Sequence, residues 1–415
     1  MKRIIICMDG TWQTLNQQRL TNIGIIARSV AHKETLADGS HIHQQVIYTK
    51  GVGSSIGALE RLGFFGSLVH GVNRIFGGMF GEGLEDGIVD TYLRLAFDYE
   101  EGDEIFIFGF SRGAFAARRL SGFINIAGIV SRRHAERARE GFRLYYRAPG
   151  DDAPEDARAA HAEEARQFRM KYGKGARNED GTRRASDAVP PITYVGVFDT
   201  VAQRGAGEVL RSFFTFRNRN RFRFRNLCIP ENVMAARHAV AIDECRAGFP
   251  CQLWEDIGQS NERAGQEVYA QKWFVGYHGD VGGGENEALS AAALKWVADG
   301  ARQAGLRFYA TYGDDASPLE EAVAKLDAGA RVSRPPLLGI VKPINWPIRN
   351  REIWADRSRP TLEQMKTLLD EHAYQRACQR KPPYRPGALR PFRRAVKQLH
   401  KEMRSNGAPR PKDEP

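Results

Sequence analysis

Short apolar runs that end on polar or glycine-rich breaks alternate with stretches of helical spacing over about the first 300 residues. Ile4-Ile5-Ile6-Cys7-Met8, within residues 2–8, reads as a short buried strand ended by Asp9-Gly10-Thr11-Trp12. Helical spacing follows over 21–32, with Thr21 or Asn22 placed to cap it. A second strand covers 45–48 and ends at Lys50-Gly51-Val52-Gly53. Helical spacing returns over 84–98, and 104–109 is a continuous Ile/Phe run of the kind found in parallel sheets. A helix over 113–124 follows at once, and further strands are expected at 192–198 and 272–277, then a long helix over 289–302. Strands that alternate with helices in this way predict an α/β fold, a mostly parallel sheet with helices on both faces.

Two stretches break the alternation. Residues 54–83 are rich in Gly and Phe without clean periodicity and suit a partly apolar flap, and 148–190 reads as an insertion holding one amphipathic helix. One α/β domain is therefore expected over 1–310, with 311–415 as a helical, basic extension that is partly mobile from Lys381 on. No internal repeat is present.

Composition changes this picture little. Hydrophobic residues make up 42% and charged residues 27%, which suits a folded globular chain. The net charge of +11 suggests nucleic acid until it is located. Of 61 Lys and Arg and 50 Asp and Glu, residues 331–415 hold 20 and 8, leaving 41 and 42 for the first 330 residues. The excess belongs to the tail, whose expected partner is an anionic membrane surface. Nucleic acid is not the expected partner.

The N-terminal apolar run is too short for a signal peptide, and the longest near-apolar stretch, 62–79, is interrupted by Gly, His, Asn and Arg. The expectation is a protein made in the cytoplasm without signal peptide or transmembrane helix. Five cysteines without a CxxC pair indicate reduced thiols, neither a disulfide framework nor a zinc site. His41 and His43 stand at strand-like spacing with no third ligand, as on a solvated edge. No metal or organic cofactor is expected.

The sharpest chemical signal is Gly109-Phe110-Ser111-Arg112-Gly113, a G-x-S-x-G between a hydrophobic strand and an Ala-rich helix. Such a turn exposes a serine at a helix N-terminus, where the Arg112 amide can stabilise an oxyanion, and Gly109 and Gly113 avoid clashes around it. A nucleophilic serine needs a base and the base an orienting acid. His278 ends a strand and opens a glycine-rich loop, Gly279-Asp280-Val281-Gly282-Gly283-Gly284, at the edge where α/β active sites lie. Asp199 ends the strand Tyr194-Val195-Gly196-Val197-Phe198 and is the preferred acid, with Asp280 and Asp243 as rivals. Asp280 is close enough to His278 to be fixing the glycine loop through backbone amides instead. His238 lies on a helical pattern and reads as packed. Asp9-Gly10-Thr11 lacks the D-x-D-G-T pattern of an aspartyl-phosphate phosphatase, because Cys7 stands where the nucleophile would be. The loop is assigned instead to the oxyanion hole, through the amide of Gly10 or Thr11. The Phe/Arg alternation over 213–225 reads as a half-buried strand with a solvated Arg face, or as a grip for an anionic head group. The stretch 62–80 reads as a lipid-facing lid or a surface loop.

Taken in order, Met8-Asp9-Gly10-Thr11-Trp12, Thr21-Asn22, Lys50-Gly51-Val52-Gly53, Gly83-Leu84, the segment around Ser111, Val195 to Val201, Ala236 to Glu244 and Gly276 to Gly284 resemble a known family. It is that of the type VI secretion phospholipase effectors of the first lipase class, within a broader uncharacterised α/β-hydrolase-like domain family. The resemblance covers about residues 1–300 and departs from the family's pattern at Gln13, usually Asn, and Gly279, usually Ser. It implies an α/β-hydrolase-like fold and ester hydrolysis of glycerophospholipids by an acyl-enzyme route, with the serine at Ser111, the acid at Asp199 and the histidine at His278. It also implies delivery by type VI secretion to the target-cell periplasm, with secretion machinery or an immunity protein as partner. A soluble small-ester esterase and a non-catalytic anion- or nucleic-acid-binding module on a hydrolase fold are the alternatives.

Overall fold

The first strand organises both layers. In β1 (Lys2–Met8), Ile4, Ile6 and Met8 pack into one core cluster and Ile5 and Cys7 into another on the opposite face, all of them buried. The same division continues in β4 (Glu104–Phe110) and β5 (Tyr194–Phe198): Ile105, Ile107, Val195 and Val197 face one way, Phe106, Phe108, Tyr194 and Phe198 the other. Continuous apolar runs are what a strand covered on both faces requires.

The computed structural model describes residues 1–10, 13, 15–50, 82–150, 153–175, 188–201, 227–246, 249–326, 330, 332, 351, 353, 361–377 and 386–405. In chain order, α1 (Asn22–Ser29), β2 (Lys33–Thr35) and β3 (His41–Thr49) follow β1, and α2 (Glu82–Asp98) leads into β4. After β4 come α3 (Arg112–Ala127), a 3-10 segment (Arg132–Arg137), α4 (Ala138–Tyr146) and α5 (Glu155–Tyr172), then β5 and β6 (Ala236–Ala241). Next are α6 (Ile257–Ala264), β7 (Tyr269–Phe274), α7 (His278–Gly282) and α8 (Glu287–Gln303). A two-stranded hairpin (Thr311–Tyr312, Asp315–Ala316) and α9 (Pro318–Ala324) follow, then α10 (Leu362–Leu368), α11 (Glu371–Ala377) and α12 (Arg393–Ser405).

The seven-stranded sheet has the order β2-β3-β1-β4-β5-β6-β7, parallel throughout except for β2, which pairs antiparallel with β3. Helices α2 and α3 cover one face and α1 and α8 the other, as expected for an α/β fold. The described part of the C-terminal extension packs on the β7 side: Met365, Leu369, Tyr374, Leu389 and Val396 join Trp273 and Val275 in a third cluster. A backbone bond from Asp370 N to Trp273 O, 2.9 Å, fastens it.

Several boundaries differ from the expected ones. The stretch holding His238 is not helical but the strand β6; six residues, buried at all but Arg237, are too few to show a period that separates helix from strand. The glycine loop after His278 begins as a helical turn. Helix α4 and the edge strand β2 were not anticipated. Of the flap expected over 54–83, residues 54–81 lie outside the described residues and 82–83 begin α2; the segment 213–225 and Thr11 also lie outside them.

Two local features knit the layers at the upper edge of β1. A Cβ on Gly113 would stand 2.1 Å from the Met8 carbonyl oxygen and 2.5 Å from that of Asp9, so α3 reaches β1 only with glycine there. The buried Asp9 carboxylate accepts hydrogen bonds from the Gly10 amide (2.7 Å), the Thr21 hydroxyl (2.8 Å) and the Tyr48 hydroxyl (2.6 Å), tying β1 to α1 and β3. Burial pushes its pKa up to about 6, against the lowering effect of those bonds.

Gly113→Ala is expected to lower stability by about 3 kcal/mol or more through overpacking. Gly87→Ala, inside α2 with open space around its Cα, should be neutral or stabilising by roughly 0.5–1 kcal/mol. Equal melting temperatures for the two variants in thermal denaturation would contradict this packing. For Asp9, a raised folded pKa means that the stability it confers is full below the unfolded value and is lost as pH rises through about 6. Asp9→Asn should therefore gain in melting temperature relative to the parent between pH 5 and 8, and a constant difference would overturn the assignment.

Candidate active site

Register brings the key side chains together. Phe110 at the end of β4 pairs with Phe198 at the end of β5, so the next residues, Ser111 and Asp199, leave the sheet side by side. Ala241 of β6 pairs with Phe274 of β7, and the chain beyond β7 turns back through Gly276 (φ 112°) to start α7 at His278. Ser111 and Asp199 are the non-glycine residues with positive φ among the described residues, at 58° and 40°. Strain of this kind persists only where the surroundings impose it. The Ser111 amide is fixed by the Phe198 carbonyl at 3.1 Å, and a Cβ on Gly109 would stand 2.5 Å from the Gly113 carbonyl oxygen.

The three side chains form a line of hydrogen bonds. His278 Nε2 is 2.8 Å from Ser111 Oγ, and His278 Nδ1 is 2.5 Å from Asp199 Oδ2. Asp199 is fully buried, whereas Ser111 and His278 keep 8% and 7% exposure, enough for one edge of the pair to meet a ligand. The imidazole lies between the rings of Phe110 and Phe249, with centroids at 4.8 and 5.1 Å. Its turn is held from several sides. Asp280 accepts from the Tyr277 amide at 3.2 Å, Asp243 from the Gly276 amide at 2.7 Å, and Glu244, paired with Arg246, from the His278 amide at 3.4 Å. The two rival acids thus bind backbone around the histidine, while the carboxylate on its ring is that of Asp199.

The glycine run has a steric reason. A Cβ on Gly282 would fall 1.9 Å from the Phe110 ring, and one on Gly283 2.5 Å from the Asn22 amide nitrogen. Asn22 in turn donates from Nδ2 to Val281 O at 2.9 Å, so the Thr21-Asn22 cap of α1 latches the histidine turn.

Around the serine, Arg112 is the first residue of α3, where a backbone amide has no partner inside the helix. Gly10 lies against Ser111, its virtual Cβ 3.5 Å from Ser111 Cβ, but its amide donates to Asp9. His238 is buried; Nε2 accepts from the Thr200 amide at 3.2 Å and Nδ1 faces Gln271 Oε1 at 2.9 Å, so it braces the residue after Asp199. Burial, helped by Arg118, lowers its pKa to about 3, which keeps it neutral. His41 and His43 sit at exposed positions of β3, remote from this cluster in the sheet.

One residue of the site was not anticipated. Arg351 forks onto Asp199, Nη1 to Oδ1 and Nη2 to Oδ2, the latter at 3.0 Å. Its nitrogens also donate to the carbonyls of Ala241 and Phe249, each at 3.0 Å. Burial alone would favour a neutral acid, but the Arg351 charge and the His278 hydrogen bond hold Asp199 well below the usual carboxylate range. No motif marks Arg351; it lies in the arginine-rich stretch that charge counting assigns to the surface.

An uncharacterized protein of Saccharomyces cerevisiae, YEL023C, is 29% identical over 254 residues, covering 60% of this chain and 32% of its own length. The chain thus spans about a third of that curated relative. A crystal structure of an uncharacterized Pseudomonas aeruginosa protein aligns with 79% of this chain and 49% of its own, at 17% identity and a TM-score of 0.38. The structure of a Tle1 effector bound to the VgrG spike of the type 6 secretion system aligns with 68% and 51%, at 17% identity and a TM-score of 0.34. Residues 2–300 match the family described as "T6SS, Phospholipase effector Tle1-like, catalytic domain", and the chain belongs to that family.

Proposed function

We propose that the chain is a serine ester hydrolase acting on glycerophospholipids, with Ser111 as nucleophile, His278 as base and acid, and Asp199 as the group that orients the imidazole. The observation that carries this reading is the unbroken line from Asp199 through His278 to Ser111, with contacts of 2.5 and 2.8 Å and the serine held in a positive-φ turn. Family membership supports the phospholipid substrate.

In the reaction, His278 Nε2 takes the Ser111 hydroxyl proton as Oγ attacks the ester carbonyl carbon. The carbonyl oxygen becomes an oxyanion that the Arg112 amide, at the N-terminus of α3, is placed to stabilise. A second donor is assigned to the Asp9–Thr11 loop beside the serine, which requires the Gly10 amide to turn from Asp9 or the Thr11 amide to serve. Collapse expels the lipid alcohol, which receives the proton from His278 and leaves an acyl-serine. Water then gives a proton to His278 and attacks the acyl carbon, and the serine regains its proton as the fatty acid departs. Asp199 stays ionised and holds the Nδ1 proton, so Nε2 is free to accept.

The exposed residues Arg393, Lys397 and Lys401 recur at i, i+4 and i+8 on α12 and offer one positive row to an anionic surface. No helix of the described residues is long and apolar enough to cross a membrane. In this proposal the chain reaches phospholipid by docking, after delivery by the type VI machinery named in the family description, with the target-cell periplasm as the proposed destination.

A fluorophosphonate probe should label the parent chain at Ser111, and Ser111→Ala should abolish the label and lower lipid hydrolysis about 10⁶-fold in rate. A parent chain that takes no label, or a variant that keeps it, would refute the assignment. Vesicles of anionic phospholipid should be cleaved faster than a short-chain soluble ester, with fatty acid and lysophospholipid as products by mass spectrometry. Replacing Arg393, Lys397 and Lys401 by Glu should slow vesicle hydrolysis roughly a hundredfold at low salt, at about 1 kcal/mol per cation, and leave the soluble-ester rate unchanged. Equal losses on both substrates would remove the membrane role of α12.

A further inference from the structure

We infer that Arg351, which lies beyond the residues that match the family, is a positioning residue of the site: it fixes the plane of the Asp199 carboxylate and offsets that carboxylate's charge behind His278. The inference rests on the serine-hydrolase reading and deepens it.

The geometry has three parts. The first is orientation. A carboxylate on a single-bonded Cβ can rotate, and apart from Arg351 and His278 the donor on Asp199 is the Ala241 amide, 2.9 Å from Oδ1. The guanidinium closes both oxygens in a planar fork, which leaves Oδ2 directed at His278 Nδ1. The second is connection. Through the carbonyls of Ala241 and Phe249, the same guanidinium joins the end of β6 to the segment whose Phe249 ring packs edge-on against the imidazole. Arg246 closes the far side of that ring, 3.9 Å from its centroid. One cation thus holds the acid and a wall of the histidine pocket together.

The third part is charge. A full negative charge on Asp199 would stabilise the protonated imidazole strongly. Arg351 offsets part of that pull, since an ion pair behind the ring presents less net charge to it than a lone carboxylate would. The other ionisable groups around His278 include Glu244 with its partner Arg246, Asp243 at the β6 end, Asp280 and Tyr277 in its own turn, Glu285 against Gly279, Cys251 beside Asp199 and Arg351, and the neutral His238 behind Asp199. Apart from the Arg351–Asp199 pair, their excess is acidic, so Arg351 is the cation that opposes it on the Asp199 side of the ring.

The test is the pH dependence of Ser111 labelling by a fluorophosphonate and of ester hydrolysis, in the full chain, for Arg351→Met and Arg351→Lys. Removing the cation makes protonated imidazole more stable, so the acid limb of both profiles should move up by about one to two pH units in Arg351→Met. The plateau kcat should fall about 10- to 100-fold with KM changed less than threefold. Arg351→Lys retains the charge without the fork, so its limb should stay near that of the parent while kcat still falls. Should Arg351→Met fail to fold, because it leaves a buried carboxylate without its cation, Arg351→Lys carries the test: a kcat equal to the parent's would overturn the positioning role. A folded Arg351→Met whose acid limb coincides with the parent's would overturn the charge role. A parent chain that takes no label at Ser111 would instead refute the hydrolase reading itself.

Discussion

A carboxylate with no solvent exposure must be neutralised by its neighbours, and around Asp199 that requirement shapes the site. Burying such an ion without partners costs several kcal/mol. Here the donors come from β6 (the Ala241 amide), from α7 (His278) and from Arg351 far along the chain. They fill the four acceptor positions of the carboxylate. Segments more than a hundred residues apart in sequence therefore converge on one atom group. Loss of Arg351 would leave that charge buried without its cation, and loss of either other donor would leave an acceptor position unfilled.

The sheet supplies the precision that this charge needs. Because Phe110 and Phe198 are register partners, Ser111 and Asp199 emerge at one level, and each turns out of its strand through a positive φ. Helix α3 must then start at once, and Gly109 and Gly113 permit its approach to the strands without a Cβ in the way. On the other side, the Thr21-Asn22 cap of α1 meets the glycine run after His278 at a distance no side chain would allow. The histidine turn is thus clamped between a strand end and a helix cap. The strain at Ser111 and Asp199 is sustained by these contacts on both flanks.

Much of this was legible because it is local. Continuous apolar runs, each ended by a residue of chemical interest, marked β1, β4, β5 and β7, and strand-end logic selected Ser111, Asp199 and His278 without any knowledge of register. What escaped was either short or non-local. The run at 236–241 has no period of its own, and its identity as a strand is decided by pairing with β5 and β7. Asp9 carries no nucleophile chemistry in its sequence pattern, yet its three hydrogen bonds hold β1, α1 and β3 together, and that role depends on residues 12 and 39 positions away. The same bonds engage the Gly10 amide, which motif reasoning had left open for the oxyanion.

Arg351 exposes the limit of reading charge by counting. It is one of the 20 cations in residues 331–415, a stretch that composition alone assigns to a solvated, membrane-facing tail. Yet its side chain keeps only 8% exposure where it meets Asp199, while Arg393, Arg394, Lys397 and Lys401 are exposed on α12. The difference is one of neighbours. A cation can leave water only where an anion and carbonyl oxygens replace its hydration, and such a place exists in the interior because Asp199 needs the reverse. The basic excess of the extension therefore divides in two, an interior charge that completes the site and an outer row available to anionic partners. Arginine suits the first task because its planar fork matches a carboxylate, whereas the outer row uses Arg and Lys alike because diffuse attraction needs charge and no geometry.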